Sequence, residues 1–188
     1  MAILPSTYYP EVKAGRSFFG STATTGVALP ISTGTAVTFA VWNTDPSKVM
    51  IPLWFSATLL GTPTAASSIG FANQNVGLTG GATGNPLAAY TAGTSANSFR
   101  GAGSSSTMTF IPATATLTAG NGAGVPVYYI GYGWAAATAT VGVQPTSHDF
   151  LGRVIVYPGQ IFYACANAAS TGPYAMTLAW DEVPISSM

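Results

Sequence analysis

The chain contains one thiol and one imidazole, Cys165 and His148, with Asp149 next to the imidazole. A nucleophilic cysteine needs a base within hydrogen-bond reach and a third group that orients the base. These three residues are the one set from which a Cys-His-Asp arrangement can be written, and their patterning argues against it. Cys165 continues an alternation with Ile161 and Tyr163, as a small buried hydrophobe does. Adjacent strand residues such as His148 and Asp149 project to opposite faces. The same divergence separates Asp181 from Glu182, the one adjacent carboxylate pair, and weakens them as a glycosidase pair. Spacing alone does not say whether Asp45, Asp149, Asp181 and Glu182 meet, but none belongs to a local acidic cluster of the calcium-loop kind. The glycine-rich run 77–84 lacks the Gly-Lys-Ser/Thr ending of a phosphate loop. It also lacks the strand-glycine-helix setting of a dinucleotide site. The expectation is a protein with no catalytic residues, no cofactor and no metal.

The elements that must position these residues read as strands. Helix-favouring Glu, Lys, Arg and Gln are scarce, while Thr, Gly and Pro are common. Residues 36–42 alternate, with Val37, Phe39 and Val41 on one face and Thr38, Ala40 and Trp42 on the other. Residues 49–60 are apolar, and Pro52 marks an edge or a bulge. Residues 68–76 and 107–111 are further strands, the latter with Met108 and Phe110 on one side. Residues 125–132 and 135–143 follow. Residues 153–157, Pro158-Gly159 and 160–166 read as strand, type II turn and strand. Residues 174–180 place Tyr174, Met176, Leu178 and Trp180 on one face and Ala175, Thr177 and Ala179 on the other. About eight strands without helical interludes predict an all-β, antiparallel β-sandwich, jelly-roll-like at this length. Residues 77–106 are of low complexity and read as a long loop or excursion between strands.

Composition limits the partners. Ten of 188 residues are charged, five of each sign, where about a quarter is usual. No basic patch exists to neutralise phosphates, so nucleic-acid binding by counterion release is not expected. Neither a polybasic segment nor an apolar run of about 18 residues marks a membrane protein. Residues 1–10 have no basic start and no apolar core, so no signal peptide is expected. A lone cysteine forms no intrachain disulfide. Ala, Thr, Gly and Ser fill half the chain, so its surface is largely neutral. Soluble monomers ordinarily use charge to stay apart; a neutral surface predicts a protein covered by copies of itself or by a partner.

Two aromatic groups are the candidate contacts. Tyr8, Tyr9, Phe18 and Phe19 lie in residues 1–20, which read as an arm carrying three of the ten charges, ahead of a single sandwich domain over 21–188. An equally good reading makes them a first strand covering its own core. Tyr128, Tyr129, Tyr132 and Trp134 form the second group, suited to a core, a subunit interface or a sugar-stacking surface.

The run Arg153-Val-Ile-Val-Tyr-Pro-Gly-Gln-Ile-Phe-Tyr-Ala and the later Tyr174-Ala-Met-Thr-Leu-Ala-Trp-Asp-Glu-Val-Pro resemble the ending of small β-sandwich virion proteins of tailed bacteriophages. Capsid decoration or cement proteins and related head or tail components belong to that group. The resemblance covers about the last quarter of the chain. It implies a jelly-roll-like sandwich, often a homotrimer, seated on a lattice of major capsid or other virion protein, and it carries over no catalytic residues. The expectation is therefore a structural virion protein, assembled in the host cytoplasm. The alternatives are a carbohydrate-binding sandwich, favoured by an exposed Trp42, Tyr132 or Trp134, and a major self-assembling coat protein.

Overall fold

The computed structural model describes residues 14–31, 36–61, 67–78, 87–89, 91–97, 105–117, 127–134, 145–168 and 172–188. Its strands are β1 (Ser17–Ser21), β2 (Val27–Ala28), β3 (Ala36–Trp42), β4 (Lys48–Leu59), β5 (Ser67–Asn75) and β6 (Leu87–Ala89). They continue with β7 (Ala96–Asn97), β8 (Thr109–Leu117), β9 (Val127–Trp134), β10 (Pro145–Asp149), β11 (Gln160–Ala166) and β12 (Pro173–Pro184). A 3-10 turn at Ile185–Ser187 is the sole helical element among the described residues.

Two antiparallel sheets pack face to face. The first runs β10-β4-β12-β1-β7, with β2 also on β12, and the second runs β6-β8-β3-β11-β5-β9. Eight of these strands pair in a nested way. β1 pairs with β12, β3 with β11, β4 with β10, and β5 with β9. First joins last and each inner pair sits inside the outer one, which is the jelly roll: a long hairpin wound over itself. The expected fold class is what the chain adopts.

Residues between β5 and β9 make the departure from a bare jelly roll. They include the whole low-complexity stretch, yet they contribute strands to both sheets. β6 and β8 extend the second sheet beside β3, and β7 extends the first beside β1. The excursion thus adds a strand to the β1 and β3 edges, an answer to the exposed-edge problem. Residues 135–143, read as a strand, lie outside the described residues.

Between the sheets lies an aromatic core. Phe71 stacks parallel on Phe162, with ring centres 5.1 Å apart, and meets Phe55 and Phe150 edge-on at 4.7 and 5.1 Å. Phe110 and Phe18 stack on Trp180 at 5.9 and 6.3 Å. Offset and edge-on contacts of this kind add to area burial. β1 passes so close to Phe110 that a Cβ on Gly20 would sit 2.6 Å from its ring. On the far side of the second sheet a second cluster of side chains, including Trp42, Ile161, Tyr163 and Cys165, is also buried.

Bulges decide which residues share a face. Phe39 adopts a φ of 50°, and register shifts beside it against both β11 and β8. An extra residue in a strand reverses its parity. Val37 therefore joins Ala40 and Trp42 in the outer cluster, while Phe39 and Val41 face the inner core; the unbroken alternation read for this strand fails at Val37. Pro52 fulfils its bulge reading, because Trp180 pairs with Pro52 and Ala179 with Trp54, leaving Leu53 without a direct opposite. Residues 153–155 are not strand. Only Val156 bridges to Met50, after a turn in which Leu151 and Gly152 both have positive φ. The Pro158-Gly159 turn forms as expected: Gly159 has φ 79°, and the Gln160 N–H donates to the Tyr157 carbonyl at 3.0 Å.

Candidate functional site

The outer face of the first sheet is the surface that the fold leaves open. Register lines up its side chains in rows that cross the strands. One row reads Asp149, Trp54, Ala179, Phe19 and Ala96, from β10 through β4, β12 and β1 to β7. The next reads Ser147, Ser56, Thr177 and Ser21, where the Ser21 and Thr177 hydroxyls pair at 2.9 Å. A third holds Thr58 and Ala175. Trp54 is 42% exposed and Phe19 41% exposed, one on each side of the small, half-buried Ala179. On these rows the one exposed formal charge is Asp149, at the β10 end. Bulky aromatics flanking a small residue on a charge-poor surface have the composition of an interface centre.

Local sequence produces this face. From Trp54 onward β4 alternates without interruption. Phe55, Ala57 and Leu59 enter the core, and Trp54, Ser56 and Thr58 point away from it. β12 alternates likewise, with Tyr174, Met176, Leu178 and Trp180 inside. Its outward Ala175, Thr177 and Ala179 keep the middle of the face low.

The residues singled out from the sequence fall in several places. Phe18 is core and Phe19 is exposed, so residues 17–20 begin the sandwich as its first strand. Tyr8 and Tyr9 lie outside the described residues. Tyr128 is 43% exposed, and its ring lies 5.4 Å from that of His148. Tyr129, Tyr132 and Trp134 belong to β9, with Tyr129 opposite Gly70 and Trp134 opposite Ser67; their side chains lie outside the described ones. Trp42 is buried, its Nε1–H donating to the Gly77 carbonyl at 2.8 Å, so it offers no sugar-stacking surface. Trp54 was not singled out from the sequence, although its alternation with Ser56 and Thr58 carried the signal.

Cys165 and His148 do not meet. Cys165 belongs to the cluster on the far side of the second sheet, and burial pushes its thiol up to about 12. His148 sits on the first sheet's edge strand, its ring 4.9 Å from that of Phe150. Burial holds its imidazole below the ordinary range; Asp149 works against that shift and Arg153 adds to it.

Asp181 and Glu182 diverge as read, yet both are buried. Asp181 accepts a hydrogen bond from the Ser17 hydroxyl. Glu182 accepts from the Ser106 hydroxyl, from the Thr107 hydroxyl at 2.9 Å and from the Thr107 N–H at 3.2 Å. The Lys48 ammonium lies 3.4 Å from it. This carboxylate pins the chain entering β8 onto the end of β12. Among the described residues no three potential metal ligands cluster. Comparison with family models, curated proteins and solved structures yields no match.

Proposed function

We propose that the chain is a structural, non-enzymatic virion protein that binds a capsid lattice and associates with copies of itself. A capsid decoration or cement subunit fits best, or a related head or tail component, with a homotrimer favoured. The observation that carries this reading is the open face of the first sheet, with Trp54 and Phe19 in one row over Ala, Ser and Thr. Such a face costs little to desolvate, because it has almost no charge to strip of water. The jelly roll adds support by analogy, since it recurs in viral capsid domains. Weak contacts of this size become firm when many copies engage one lattice.

Sedimentation velocity of the purified chain tests the self-association. A trimer or larger species at micromolar concentration is expected, and a strict monomer up to about 100 μM, well above the range of stable complexes, would overturn it.

A carbohydrate-binding module is the second reading, because Trp54 beside a row of four hydroxyl side chains suits stacking on a sugar ring. Binding to a glycan array that is lost in Trp54→Ala would favour it over the structural role.

A further inference from the structure

We propose that His148 is an acid-sensitive latch that holds one side of the sandwich closed at neutral pH and releases it on acidification. β10 is the outer strand of the first sheet and β9 the outer strand of the second, on the same side of the molecule. The imidazole spans the gap between them. It lies 5.4 Å from the Tyr128 ring on β9 and 4.9 Å from the Phe150 ring beneath. Its Nε2 is buried and has no hydrogen-bond partner among the described residues.

A neutral imidazole tolerates this position in its Nδ1–H tautomer, in which Nε2 carries no proton. Protonation turns Nε2 into a buried donor whose hydrogen no described residue receives, and adds a charge to a half-buried ring packed against Phe150. The groups around it are few. Asp149 on the same strand favours the charged ring and Arg153 from the following turn opposes it. From β9 the Tyr128 phenol ring faces it. Phe55, opposite His148 on β4, and its neighbours Trp54 and Ser56 do not titrate. Because the folded chain keeps the ring below its ordinary value, the stability it contributes is complete above about pH 6.5. That contribution falls away as the pH drops through the lower, folded value.

The rest of the chain makes the assignment clean. It has one histidine, and histidine alone among side chains ordinarily changes charge between about pH 5 and 8. A response in that window that is lost in His148 variants therefore belongs to His148.

The test follows the imidazole proton resonances of the full chain by NMR. Hydrogen-exchange protection is measured alongside at about pH 7.5 and about pH 5, with rates corrected for intrinsic exchange, for the wild type, His148→Phe and His148→Gln. The imidazole is expected to titrate below about 6.5. Protection of β9 and β10 is expected to drop roughly threefold or more relative to β12 in the wild type, and to stay level in both variants. Titration at or above the ordinary value, or the same acid loss in the variants, would overturn the latch. Should neither variant fold, the wild-type titration and exchange data decide alone.

Discussion

Leu151 occupies a backbone position where glycine or asparagine is the usual choice. Its φ is 51° and its side chain is 60% exposed, so it bears a left-handed backbone without burying its apolar surface in return. Such a conformation costs an L residue about 1 kcal/mol or more. Leu151→Gly is expected to raise the thermal midpoint by about 2 °C; an unchanged or lower midpoint in calorimetry would show that the turn is not strained. Cys165 makes the opposite case, a reactive group made inert by its place. Its thiol, pushed up to about 12 by burial, is expected to resist a thiol reagent at pH 8 in the folded chain and to react fully once denaturant is added. Rapid labelling of the native protein would contradict its burial. The sequence pointed correctly to burial, because alternation with Ile161 and Tyr163 puts Cys165 on one apolar face of its strand.

Elements were legible where period two ran unbroken. Residues 174–180 show each large side chain inside and each small one outside, because the one register shift along this length puts the extra residue, Leu53, in β4 and not in β12. Val37 was misplaced because a bulge is a property of pairing, and nothing local to residues 36–42 announces the extra residue at Phe39. The low-complexity stretch hid strands for a related reason: β6 and β7 are two or three residues long and owe their form to the edges they join. Glu182 read as a polar strand end, since its partners Ser106 and Thr107 lie 76 and 75 residues away. Removing this carboxylate strands several donors at once. Glu182→Ala is expected to cost about 3 kcal/mol, and to make the segment around Ser106 and Thr107 a preferred site of limited proteolysis. Wild-type resistance to protease in that variant would remove Glu182 as the pin.

At the scale of the whole molecule, scarcity of charge acquires a location. The central strands β3 and β11 of the second sheet are buried on both faces, whereas the first sheet turns an outer face of Trp54, Phe19, Ala, Ser and Thr away from the core. Composition announced that such a surface had to exist; only the register of β4, β12 and β1 put the two aromatics in one row. If this face joins neighbouring copies, replacing its two bulky residues weakens association and leaves the fold alone, because neither side chain enters the core. Sedimentation velocity of Trp54→Ser with Phe19→Ser, beside the wild type and with circular dichroism to confirm the fold, is the most direct measurement. Self-association is expected to weaken by at least about a hundredfold, since central aromatic anchors costing about 2 kcal/mol or more each are lost. A correctly folded double variant that associates as tightly as the wild type would contradict it.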